Sequence, residues 1–225
     1  MNSYRHLTIV AIIVICAVVF GIEQSQETTF GDAWGSSSTS LGVTWEHLRS
    51  GHLGAADFRQ LATLVTYTFL HGDIEHIVYN MVFLWLFGIL ACELLGQWPT
   101  LVIYFVCGIG AAITQALMVR DAAPAIGASG AISGLEGLYL GLALRWQLPD
   151  ANVWPLAYPV PPMQVVALGV IGFCGDLVLF YMRGDNIAHG AHMGGLLTGV
   201  LIAAMITSAY PTLASFNPRW RGRRV

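Results

Sequence analysis

The chain has no lysine and little charge of any kind: acids and arginines make up 10% of its 225 residues. A soluble domain usually carries about 25%, so the deficit argues against an ordinary water-facing globule. The net charge of −3 leaves no electrostatic footprint for nucleic acid. Cysteine is scarce too. Cys16, Cys92, Cys107 and Cys174 each lie in an apolar segment, with no CxxC or Cys/His spacing. They read as small buried apolar residues rather than as disulfides or a zinc site. No H-E-x-x-H pattern occurs, so neither a metal nor any other cofactor is expected. Arg5 precedes an apolar run as in a signal peptide. The following Glu23-Gln24-Ser25-Gln26 lacks a small-residue cleavage site, however, so the run reads as an uncleaved first span.

What the chain does have is apolar sequence, 56% of it, in long runs. At roughly 20 residues per crossing, this predicts an all-α, polytopic membrane protein of about six spans in a single domain. The expected spans are residues 7–22, 74–95, 99–119, 128–146, 163–182 and 187–209. Pro99 suits a first helical turn. Five prolines between Pro149 and Pro162 exclude a regular helix there. Residues 23–70 form a long outer loop. Its Trp34, Trp45, Leu48, Leu53, Phe58 and Leu61 suit a partly structured segment at the membrane interface. Residues 210–225 form a basic tail. Arg5, Arg145 and the tail arginines fall on one side of the membrane, and Arg49, Arg59, Arg120 and Arg183 on the other. The positive-inside rule then places both termini in the cytoplasm, in a plasma (inner) membrane. No pair of broken spans in matching halves suggests a transporter repeat.

Polar groups in apolar spans are costly and usually have a task. Ser129 opens the fourth span within Gly127-Ala128-Ser129-Gly130, and His192 lies early in the sixth. Gly130, Gly134 and Gly137/Gly141 make a small-residue stripe, as do Ala191, Gly195, Gly199 and Ala203. Such stripes let two helix backbones approach closely. Close approach would bring the Ser129 hydroxyl to the His192 imidazole, a base able to activate it. His76 and Asn80, four apart, share one face of the second span. They offer N–H donors for an oxyanion, beside the Ser129 backbone N–H at a helix start.

Three segments, His71-x4-His76-x3-Asn80, Gly127-Ala128-Ser129-Gly130 and Ala191-His192-Met193-Gly194-Gly195, resemble in order and placement the signatures of rhomboid intramembrane serine proteases. Glu93-Leu94-Leu95-Gly96 resembles the family's E-x-x-G corner. The resemblance covers about residues 57–203. It implies a Ser129–His192 dyad, oxyanion contacts from His76, Asn80 and the Ser129 backbone, and a supporting role for His71, Gly127 and Gly130. It also implies cleavage of single-span membrane proteins near the outer end of their transmembrane segments, through an acyl-enzyme. Residues 182–186 and the long first loop would shape substrate access. Where the family often carries an aromatic four residues after the serine, this chain has Ser133. Where it often carries Trp-Arg in the first loop, this chain has Phe58-Arg59.

Other polar residues read as secondary. Glu136, seven residues after Ser129, lies about 10 Å deeper and reads as structural, as does Asp176. His189 is expected to face water at the interface. Gln115 is a candidate for holding water near the serine. Two further functions compete with the peptidase: a non-catalytic rhomboid-like protein that binds transmembrane clients, and a small transporter or channel.

Overall fold

The computed structural model describes residues 6–26, 34–118, 124–153, 158–182 and 188–220. The described part is helical. Its only extended pairings are two isolated bridges, Ser36 with Ala125 and Ala151 with Val160. In chain order the helices are α1 (Leu7–Gln26), α2 (Ser38–Ser50), α3 (Ala55–Thr66), α4 (Ile74–Leu95), α5 (Gln97–Met118), α6 (Ser129–Ala143), α7 (Pro162–Met182), α8 (His189–Ala209) and the one-turn α9 (Leu213–Phe216). Short 3₁₀ turns cover Tyr67–Phe69 and Pro218–Trp220.

Among the described residues, α1, α4, α5 and α8 are long and apolar enough to cross a membrane. The chain is an integral membrane protein. α6 has 15 residues and spans about 22 Å. It is also the most enclosed helix, touching α4, α5, α7 and α8. Its most extensive contact is with α8. That contact follows the two glycine stripes. A Cβ on Gly195 would strike the carbonyl of Gly130, one on Gly199 the carbonyl of Gly134, and one on Gly137 the backbone of Leu196. Only hydrogen at these positions permits the approach, and dispersion across the dry contact holds it.

Several expectations need correction. The partly structured segment expected over residues 23–70 holds α2 and α3, which fold there as a hairpin. A buried carboxylate closes it: Asp57 accepts hydrogen bonds from Gly54 N (2.9 Å) and Thr44 Oγ1 (3.0 Å), and pairs with His47 Nδ1 (2.9 Å). The Gly54 N–H and then the His47 side chain hold this carboxyl below the usual carboxylate range. α5 starts at Gln97, ahead of Pro99, because the first amides of a helix lack internal acceptors and a proline is tolerated there. α6 stops at Ala143 rather than at 146. The amides of Arg145 and Trp146 both bond to the Leu142 carbonyl and end the helix. The tail is structured as far as Trp220. Asn217 Nδ2 donates to the Leu94 carbonyl (2.9 Å), and Trp146 Nε1 donates to the Tyr210 carbonyl (2.8 Å). Cys16, Cys92 and Cys107 are buried as expected, but Cys174 is exposed on α7. The arginines at 5, 120, 183, 221, 223 and 224, and residues 183–186 of the expected cap, lie outside the described residues.

These contacts put two ends on the bundle. His6 pairs with Glu93 (3.3 Å), and Thr8 with the Gln97 carbonyl (3.5 Å). With Leu94, Trp146 and Tyr210, they mark one end. Ser129, His71, Gln115 and Ala191 mark the other.

Candidate active site

Tertiary packing brings the serine and the histidine together. Ser129 Oγ lies 2.8 Å from His192 Nε2, across 63 residues of sequence. With the hydroxyl as donor and Nε2 as acceptor, this is the geometry a general base needs. Ser129 is the first residue of α6, and His192 is four residues into α8. Gly130 beside the serine and Gly195 beside the histidine make up the touching surface, so the same contact that packs the helices sets this distance.

The loop before Ser129 is held from several directions. Ser36 and Ala125 exchange backbone hydrogen bonds (3.0 and 2.9 Å), and the Gly127 amide donates to the Tyr67 carbonyl (2.9 Å). The Tyr67 hydroxyl donates in turn to the Gly108 carbonyl on α5 (2.7 Å). Gly127 has φ +116°, a conformation that side chains rarely adopt. A Cβ there would also sit 2.6 Å from His76 Nε2 and 3.4 Å from Asn80 Nδ2. His76 and Asn80, one turn apart on α4, therefore both close over the turn that leads to the serine.

Asn80 is buried, and its Nδ2 has no hydrogen-bond acceptor among the described residues. A buried donor left unpaired costs about 1–3 kcal/mol. Such a cost is tolerated where a charge is due to appear. His71 is buried at the junction before α4. Its ring stands edge-on to His76, with centroids 5.2 Å apart. Burial, and then the neighbouring His76, push its pKa down to about 4, against a weaker pull from the Phe69 backbone. His71 is therefore a neutral wedge behind His76.

A cavity of about 610 Å³ adjoins the dyad. Asn80, Ser129 and His192 line one end of it, and Phe87 of α4 and Leu168 of α7 form part of its walls. Ser133 and Glu136 line it from α6.

Some expectations shift. His189 does not face water. It is buried, and its ring meets His192 edge-on at 6.0 Å and 85°. It thus supplies the ring neighbour that Ser133 does not. The signal was present in the spacing, since residues three apart share a helix face. Gln115 uses its side-chain carbonyl to accept the Ala191 amide (3.0 Å), so it ties α5 to the first turn of α8 next to His192. Phe58 of α3 is exposed, 62%, as is Trp45 of α2. The Asp176 side chain lies outside the described residues. Among the described residues no cluster of potential ligands could hold a metal.

Residues 58–209 match the model of the rhomboid domain. The chain is 29% identical to rhomboid-like protein 11, chloroplastic, of Arabidopsis thaliana, over 66% of its own length and 53% of that protein. It is 27% identical to the rhomboid protease GluP of Bacillus subtilis, over 82% and 33% respectively. It is also 27% identical to the inactive RHOMBOID-like protein 8 of A. thaliana, over 69% and 41%. The chain thus spans about half the length, or less, of these relatives.

Proposed function

The chain belongs to the rhomboid family, and from that premise we propose that it is an intramembrane serine endopeptidase acting on single-span membrane proteins. One observation carries the reading: the 2.8 Å Ser129–His192 contact beside the buried Asn80 Nδ2, which has no acceptor among the described residues. A nucleophile, a base and a waiting oxyanion donor converge on one cavity.

In this mechanism Ser129 Oγ attacks the scissile carbonyl as its proton passes to His192 Nε2. The tetrahedral oxyanion is met by Asn80 Nδ2–H, a His76 ring N–H and the Ser129 backbone N–H. His192 then gives the proton to the leaving amine, and the acyl-enzyme remains. Water from the outer side loses a proton to His192 and attacks the ester. The acid product leaves, and Ser129 regains its proton. Neither a metal nor another cofactor takes part.

The same reading takes α1, α4, α5, α6, α7 and α8 as six crossings. The pairing of His6 with Glu93 and of Asn217 with Leu94 supports it, since an even number returns both chain ends to one side. Both termini then lie in the cytoplasm of a cell with the protein in its plasma (inner) membrane. The exposed Trp45 and Phe58 of the hairpin rest at the outer lipid interface. The substrate segment reaches the dyad between α4 and α7, the walls of the cavity.

The likeness to an inactive relative favours one alternative, a non-catalytic protein that binds transmembrane clients. A fluorophosphonate probe decides between the two. The peptidase reading expects labelling of wild type and none of Ser129→Ala. An unlabelled wild type overturns it.

A further inference from the structure

The cavity is mostly apolar, yet Glu136 extends into it from α6. A carboxyl group at that depth has a high desolvation cost. The fold makes room for it: a Cβ on Gly169 of α7 would lie 2.8 Å from Glu136 Oε1 and 3.4 Å from its carboxyl carbon. Glycine at 169 thus leaves the carboxyl space against the α7 wall. Glu136 also points into the same space as the dyad, because seven residues of α6 return it to the face of Ser129.

The Ser129–His192 chemistry has no use for this group, which sits about 10 Å deeper along α6. A bound segment must pass it. To react, the segment is extended at Ser129, and an extended chain covers about 10 Å in three residues. We infer that Glu136 is a specificity residue. It accepts a hydrogen bond from a donor side chain on the substrate, three to four residues to the membrane side of the scissile bond. The occupant is therefore an apolar segment with one amide or basic side chain at that position. A carboxyl oxygen accepts from such a donor, and an apolar side chain at that position offers none.

The inference rests on the serine peptidase reading, and its test separates the two. Two synthetic single-span peptides are placed in liposomes with the full chain. They are alike except for glutamine or leucine at the third residue below an Ala-Gly-Gly cleavage segment. The readout is how far each peptide slows fluorophosphonate labelling of Ser129, which reports occupancy whether or not cleavage follows. The glutamine peptide is expected to protect at a roughly tenfold lower mole fraction. In Glu136→Leu the two peptides are expected to protect alike. Should that variant not label at all, Glu136→Gln replaces it, and a lysine peptide is expected to lose its advantage while the glutamine peptide keeps its own. Equal protection in wild type, no protection by either peptide, or a glutamine preference that survives in Glu136→Leu each overturns the inference. An unlabelled wild type overturns the serine reading itself, and this inference with it.

Discussion

Gly195 of α8 lies directly against the carbonyl of Gly130 in α6, close enough that no side chain fits between them. The residues one before Gly130 and three before Gly195 are Ser129 and His192. The distance between the two reactive atoms is therefore a property of the helix packing.

Gly195→Ala forces a methyl group into the Gly130 carbonyl. Overpacking of this kind costs about 1–3 kcal/mol and moves backbone. Fluorophosphonate labelling is expected to fall at least tenfold, and the melting temperature in detergent to drop. Gly21→Ala, with nothing within 4 Å, is the control and should change neither.

Ser129→Ala and His192→Ala are each expected to reduce cleavage by roughly 10⁴-fold or more, because in the proposed mechanism nucleophile and base act as a unit. The double variant should be no worse than either single one. Proteoliposome cleavage of a single-span reporter provides the measurement, and additive losses would contradict a shared proton transfer.

In the proposed mechanism, Asn80→Ala removes one oxyanion donor from a buried position. A fall in kcat of about 10²–10³-fold is expected, with KM little changed. Because Asn80 Nδ2 has no acceptor among the described residues, thermal stability should hold or rise slightly. A lost fold would instead mark Asn80 as a packing residue.

Gly127→Ala meets two obstacles, φ +116° and the His76 imidazole 2.6 Å from the new Cβ. Backbone strain alone costs about 1–3 kcal/mol. Labelling should be lost while α6 and α8 remain associated. Cross-linking of cysteines placed at the ends of α6 and α8 remote from Ser129 checks the second point.

The α2–α3 hairpin carries a pH dependence. The folded pKa of Asp57 lies below that of the unfolded chain, near 3.9. Its stabilisation is thus full above that value and is lost as pH falls through the lowered folded value. Protection factors of the amides in residues 44–57, corrected for the pH dependence of intrinsic exchange, should fall below about pH 4 in wild type. In Asp57→Asn they should already be low at pH 7, with no further change on acidification.

Much of this protein was legible in one dimension. The long apolar runs, the four-residue glycine spacing and the interrupting prolines determine the order of the helices and the faces they bury, because lipid demands internally bonded backbone and close contact demands small residues. Ser129, His192, His76 and Asn80 stood out because polar atoms are rare in such runs. Helix ends were less legible: Gln97 and Ala143 are set by local amide and carbonyl partners. The hairpin over 38–66 was hidden because its closure depends on Asp57 meeting Thr44 and His47 across a turn. Folding alone gave the Gln115 carbonyl to Ala191 and left Asn80 Nδ2 without an acceptor among the described residues. Those outcomes depend on which side chains meet across neighbouring helices and at what depth, and spacing along a single chain carries no record of that.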